Sequence, residues 1–248
     1  MKNRLMCHLV AGYPSGELSF SVCEALAEAG AAYLEIQFPF SDPASDGPDI
    51  QNACTRSLAA GFSVKEGFGL VERCAARFPA VPVFIMTYGS LVVRPGVEAF
   101  LLKAKNAGAS GLIVPDLPWD YDEGLYAAGE KTGISVAPVL VPGTSEDRIR
   151  RILGLRPAFL YAALRTGITG SRTELGPENL AFLDKLKGEK TKILAGFGIS
   201  SKEQVDALMP HAEAAVAGSH FVRIIAKHGE AGAARLKAKL ADAVKALL

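Results

Sequence analysis

Four acids crowd into one short stretch, LEIQFPFSDPASDGPDIQ from Leu34 to Gln51, where Glu35, Asp42, Asp46 and Asp49 stand among Phe, Pro and Gly. Glu35 falls inside an apolar strand pattern, between Leu34 and Ile36. A carboxyl in apolar surroundings is costly unless it is solvated, paired or used. Such surroundings raise a carboxyl's pKa, which suits a general acid or base. A structural salt bridge inside the fold accounts for the same acid about equally well. Asp46 precedes a glycine, the usual setting of a turn-forming Asp, although Pro and Gly on both sides also suit a loop that holds or closes in a defined shape.

A second constellation lies far along the chain: RTGITG at 165–170, GFGIS at 196–200 and AGSH at 217–220. Glycines let backbone N–H groups close on phosphate oxygens, and a short helix SHFVRII would aim its positive N-terminus at the same point. A lone glycine turn commonly just caps a helix. Three in successive loops point to a bound phosphoester, held by backbone N–H groups and Ser219 rather than by a Lys or Arg cluster.

The elements that must position these groups alternate along the chain. Apolar runs CHLVAGY, YLEIQF, PVFIMTY, GLIVPD, SVAPVLVP, AFLYAAL, KILAGFG and AAVAGS read as strands. Helical patterns follow at 18–29, 64–76, 97–107, 123–131, 146–153, 179–186, 202–208 and 231–248. Near-continuous apolar strands separated by helices predict a parallel sheet covered by helices. About eight such units without a long linker predict an α/β fold, a closed (β/α)8 TIM barrel forming a single domain over 1–248. An open doubly wound sheet is the alternative, but VAGYPSGE after strand one does not supply the GxGxxG turn of a dinucleotide fold. In a barrel the chemistry sits at the C-terminal ends of the strands, and side-chain alternation turns Glu35 into the mouth.

Composition narrows the function classes. The 248 residues are 49% hydrophobic and 21% charged with a net charge of +1 and no basic block, so neither nucleic acid nor an anionic membrane is an expected partner. No apolar run approaches the roughly 20 residues of a membrane span, and a cytoplasmic setting is expected. Cys7, Cys23, Cys54 and Cys74 lack CxxC spacing and are expected to be buried free thiols, with neither disulfide nor metal.

The quoted segments closely resemble the tryptophan synthase alpha subunit family, whose corresponding segment is of the type LEIGIPFSDPLADGPVIQ. GLIVPDLP, RTGITGSRTEL and GFGIS match as well, and the similarity runs from about Val10 to Ile225. The resemblance implies retro-aldol cleavage of indole-3-glycerol phosphate to indole and glyceraldehyde 3-phosphate. It also implies that this chain needs no cofactor and that indole passes to a beta subunit carrying pyridoxal phosphate, in an alpha-beta-beta-alpha assembly. Residue by residue, Glu35 matches the general acid/base and Asp46 the second catalytic acid, which accepts the indole N–H. Tyr161 matches a tyrosine beside the glutamate, although a core aromatic with a satisfied hydroxyl is an equal account. Gly170, Gly198, Gly218 and Ser219 match phosphate binders, and Thr169 a loop closing over substrate. Met86, Ile113 and Phe159 are candidates for the indole pocket, and Phe197 and Ile199 for packing near it. Pro39, Asp42 and the region around Asp116 match loops that face the beta subunit, with Asp116 equally readable as a loop cap.

The departures from the family pattern are specific. Strand one begins almost at once, without the usual preceding helix that plugs the lower face, which leaves that face open or recapped. His8 stands where an aromatic borders the pocket, either to hydrogen-bond substrate or as a core histidine satisfied by backbone. Tyr13 replaces an Asp, Gln37 replaces a Gly, and the GSLVV loop lacks the usual NP. Three readings follow: an alpha subunit with a beta partner, a freestanding lyase releasing indole, and a non-catalytic barrel regulating its partner.

Overall fold

The computed structural model describes residues 4–164, 175–196 and 198–248. Among them, strand segments run β1 (Leu5–Val10), β2 (Tyr33–Gln37), β3 (Val83–Met86), β4 (Gly111–Ile113), β5 (Ser135–Val136), β6 (Val139–Leu140), β7 (Phe159–Ala163), β8 (Lys192–Gly196) and β9 (Ala214–Ala217). All pair in parallel, in the order β5-β4-β3-β2-β1-β9-β8-β7-β6. The two ends of that order are consecutive in the chain, separated only by Ala137 and Pro138. Pro138 has no N–H to give to a ladder, so the run from Ser135 to Leu140 bends and serves one neighbour on each side. Ala137 N–H donates to Leu112 O at 2.9 Å, and Pro138 O accepts from Tyr161 N–H at 2.9 Å. The ring thus closes as the eight-stranded (β/α)8 barrel expected from the alternation.

The helices are α1 (Gly16–Glu28), α2 (Pro48–Ala59), α3 (Val64–Arg77), α4 (Gly89–Val93), α5 (Val97–Asn106), α6 (Leu125–Thr132), α7 (Glu146–Gly154), α8 (Pro177–Lys185), α9 (Lys202–Leu208), α10 (Ser219–His228) and α11 (Ala233–Leu247). Side-chain caps set several of their starts: Ser15, Ser63, Ser145 and Ser201 each accept an N–H of the first turn, and Glu66 and Gln204 complete capping boxes. Two helices depart from the sequence expectation. The sequence pattern puts a Pro- and Gly-rich loop after the strand that carries Glu35 and no helix before 64–76, yet the last four residues of the acidic segment open α2, begun by Pro48 in the first turn with Asp49 beside it. GSLVV was read as a loop and forms the single turn α4, whose first N–H, Gly89, donates to Asp116 Oδ1 at 2.8 Å.

Strand alternation divides the core in two. On β2, Leu34 and Ile36 pack outward against the helices, while Tyr33, Glu35 and Gln37 face the barrel interior. The lower interior is aromatic. Tyr33, Phe84 and Phe159 meet edge to face, with ring centroids 5.0–6.1 Å apart. Arg4 lies 5.4 Å from the Tyr33 ring centroid, and Tyr33 O–H donates to Glu213 Oε1 at 2.7 Å. Arg4 also pairs with Glu213 at 2.6 Å. The lower face is therefore closed by its own strands, with no helix before β1 among the described residues. None of the described helices is long and apolar enough to cross a membrane. All four cysteines are free and buried.

The aromatic floor makes a prediction. A Cβ at Gly111 would lie 2.2 Å from Phe84 Cε1, and Phe84 is fully buried between two other rings. Gly111→Ala should therefore destabilise the protein by about 1–3 kcal/mol through overpacking, measured by urea unfolding. An unchanged midpoint would mean that the ring is free to move aside.

Candidate active site

Glu35 owes its place to register. On the paired strands β1 and β2, His8 and Glu35 are direct Cα partners and both side chains turn inward. His8 Nδ1 lies 2.9 Å from Glu35 Oε2, and each residue is 3% exposed. The sequence reading allowed a salt bridge across the barrel; the partner is instead on the adjacent strand. Nor is His8 satisfied by backbone: Glu35 occupies Nδ1, and Nε2 has no partner among the described residues. Burial pushes the imidazole pKa down, but the Glu35 charge and hydrogen bond, with the Asp46 charge behind them, overcome this and hold it above its ordinary value.

Asp46 is buried by a different set of contacts. The segment after β2 starts with Phe38 N–H on Met86 O at 2.9 Å, and Phe40 then stacks on Tyr88 with centroids 5.3 Å apart. Tyr88 O–H donates to Asp46 Oδ2 at 2.8 Å while accepting Ser45 N–H at 3.1 Å. Gln37 Nε2, one inward step beyond Glu35 on β2, donates to the same Oδ2 at 2.7 Å. Gln51 on α2 holds the Asp46 carbonyl at 2.8 Å. Both side-chain donors meet Oδ2 and neither uses Oδ1. Burial raises the Asp46 pKa, opposed by the His8 charge and by the Gln37 and Tyr88 bonds; the net shift is upward.

These acids line one cavity of about 350 Å³ at the C-terminal mouth. Tyr161 joins them from β7, its phenol pushed well above its ordinary pKa by burial and then by the Glu35 and Asp46 charges. Gly196 on β8 makes room for it, because a Cβ there would stand 2.8 Å from both the Tyr161 hydroxyl oxygen and Val216 Cβ. Met86, Ile113, Ile50, Val139, Val141 and Val216 supply apolar wall. Next to His8, Gly218 is the N-cap of α10 and Ser219 its first residue, so the open N–H groups of that helix border the cavity. Gly198, at φ +75°, lines it from the turn after β8.

Other sequence candidates fall elsewhere. Phe159 opens β7 at the opposite end of the strand, in the aromatic floor, and does not line the cavity; it stands two positions before Tyr161, a full step along the barrel axis. Pro39 is buried and Asp42 exposed on the segment above the mouth, where Asp42 accepts from Ser41 Oγ at 2.6 Å. Thr169, Gly170 and Phe197 lie outside the described residues. Tyr88 was not a sequence candidate, although a tyrosine at the end of a buried strand must find a partner for its hydroxyl, and that need was the available signal.

Comparison with known proteins adds to this geometry. A family model described as tryptophan synthase alpha chain matches residues 1–247. The tryptophan synthase alpha chain of Helicobacter hepaticus is 40% identical over 232 residues, covering 91% of this chain and 87% of its own length. That of Methanosarcina barkeri is 40% identical over 222 residues, covering 89% and 83%. Among solved structures, a mutant tryptophan synthase alpha-subunit from Pyrococcus furiosus superposes with a TM-score of 0.87 at 30% identity, covering 98% of this chain and 97% of that one. The alignment to the tryptophan synthase complex from the same organism gives 0.86 at 30% identity and the same coverage.

The electrostatics of Asp46 yield a signed expectation. Its folded-state pKa is raised, so the stability it contributes is full below the ordinary value of 3.8 and is lost as pH rises through the folded value. Asp46→Asn cannot ionise. The variant should gain on the wild type as pH climbs through that window and hold a constant difference above it, measured by urea unfolding at stepped pH. A difference independent of pH would show that Asp46 is not the group responsible.

Proposed function

The chain belongs to the tryptophan synthase alpha chain family, and from that premise we propose that it cleaves indole-3-glycerol phosphate by a retro-aldol step to indole and glyceraldehyde 3-phosphate. The observation that carries the reading is that two buried acids of unlike surroundings and a helix N-terminus line one cavity. Its volume, about 350 Å³, suits a small molecule.

Each part of such a substrate has a counterpart. The phosphate meets the N–H groups at the start of α10, at Gly218 and Ser219, where the helix dipole favours an anion. The indole ring takes the apolar wall near Met86 and Ile113, and its N–H is accepted by Asp46 through Oδ1, the oxygen that neither Gln37 nor Tyr88 uses. Breaking the bond to the glycerol chain needs a proton delivered to indole C3 and one removed from the side-chain hydroxyl. Glu35 performs both in turn, and Asp46 offsets the positive charge on the ring as C3 is protonated. Tyr161 borders Glu35. Pyridoxal phosphate chemistry belongs to a beta-type partner, with which this chain assembles through the segments around Pro39, Asp42 and Asp116; the matched complex from Pyrococcus furiosus supports that partnership.

Two variants test the assignment. Glu35→Gln keeps the shape but cannot shuttle a proton, and turnover of indole-3-glycerol phosphate, assayed with and without a beta-type partner, should fall by about 10²–10⁴-fold. Analogue binding should stay largely intact, and a variant that keeps most of its kcat would sink the role given to Glu35. At Gly218 an added Cβ has room, its nearest neighbour being Ile50 Cδ1 at 3.6 Å. Gly218→Asp should thus fold and weaken substrate and analogue alike by about tenfold or more, since each ~1.4 kcal/mol of repulsion is a factor of ten. An unchanged KM would remove the phosphate from this position.

A further inference from the structure

We propose that His8 is a positioning residue for Glu35, holding its carboxyl in one orientation in the mouth and keeping the proton it exchanges within the pair. The inference deepens the reaction proposed above and rests on Glu35 acting there as acid and base.

The argument starts from geometry. His8 and Glu35 sit side by side on paired strands, at one register position, with Nδ1 2.9 Å from Oε2. Both are buried, so water does not compete for the bond. Fixing Oε2 fixes the carboxyl plane, and Oε1 is the oxygen left to meet substrate. On its other side the imidazole packs against Gly218, whose added Cβ would lie 3.8 Å from His8 Cβ and Cγ and which brings no charge. The titratable groups facing the pair among the described residues are Asp46, from the segment after β2, and Tyr161, from β7. Asp46 favours the charged imidazole, and Tyr161 keeps its own proton.

The proton count follows. The pair at rest holds one mobile proton, on Nδ1 as an ion pair or on the carboxyl as a neutral pair, and the two forms interconvert along the hydrogen bond. Donation from the carboxyl to indole C3 leaves a carboxylate beside a neutral imidazole. Removal of the glycerol hydroxyl proton as the C–C bond breaks returns one proton to the pair. The net transfer is one proton from hydroxyl to C3, with nothing drawn from solvent. Loss of the pair's last proton therefore sets the alkaline limit of activity. A carboxyl alone releases its proton at lower pH than an imidazole–carboxyl pair does.

The test compares wild type, His8→Phe and His8→Asn by single-turnover cleavage of indole-3-glycerol phosphate across pH. His8→Phe should lower the rate about 10²-fold through loss of alignment, with KM little changed, and should move the alkaline limb to lower pH by about one unit or more. Asn presents an N–H near the Nδ1 position, so His8→Asn should regain part of the rate while keeping the shifted limb. An alkaline limb in the wild-type position in both variants, or no rescue by Asn with a raised KM, would overturn the proposal and leave His8 a packing residue. A second arm needs no substrate. In a histidine-labelled NMR titration, His8 is the resonance lost in His8→Phe among the four histidines. Its midpoint should drop in Glu35→Gln, and an unmoved midpoint would overturn the pairing. Absence of cleavage by the wild type would instead refute the reaction assignment while this arm still judges the pair.

Discussion

A carboxylate buried in a barrel mouth has to be given partners, and that requirement organises the upper half of this molecule. Glu35 and Asp46 are each about as buried as the apolar core around them, and stranding either unpaired would cost several kcal/mol. The solution lies in strand register. His8 reaches Glu35 because β1 and β2 pair them directly, and Gln37 reaches Asp46 because it is the next inward residue on β2. Tyr88, at the end of β3, completes the Asp46 set and is steadied by its stack with Phe40. Helices then fasten the mouth from outside. Ser57 on α2 donates to Ala11 O just past β1 at 2.7 Å, and Asp49 at the start of α2 pairs with Arg223 on α10 at 2.9 Å.

The same strands that carry this polar layer carry an apolar one two residues below it. Tyr33 precedes Glu35 on β2, Phe159 precedes Tyr161 on β7, and Met6 precedes His8 on β1, each by one inward step. The interior thus passes from an interlocked aromatic floor to a hydrogen-bonded mouth within one strand repeat of roughly 7 Å. The interlocked floor supports the polar groups above it, and the Arg4, Tyr33 and Glu213 cluster closes it from below.

Much of this was legible in the sequence, and the rest depended on register. The alternation of apolar runs with helical patterns forecast the barrel, because strand and helix periods are local properties. The inward turn of Glu35 followed from the same alternation. The helix α2 was hidden by Pro48, read as a loop residue although a proline in a first turn is also a start signal. Strand five was read whole, yet Pro138 divides it into β5 and β6. Which side chain faces which across two strands is set by pairing that no single segment encodes. For that reason the sequence puts His8 at the pocket without its partner and counts Phe159 among the pocket candidates, although it stands at the floor end of β7.

The two acids differ in what their partners can do with a proton. Glu35 faces an imidazole, a group able to take and return one, held by Glu35 above its ordinary pKa. Asp46 faces an amide and a phenol. The amide has no proton to trade, and burial and then the Asp46 charge hold the Tyr88 phenol far above its ordinary value, so it stays a donor. An acid surrounded by fixed donors remains an acceptor, suited to steadying charge. An acid coupled to a titrating neighbour can shift a proton along the shared bond, so that the carboxyl is charged or neutral while the pair keeps its net charge. On the proposed reaction that contrast matches the division between stabilising the ring and exchanging protons, and it arises from which residue stands opposite each acid rather than from the acids themselves.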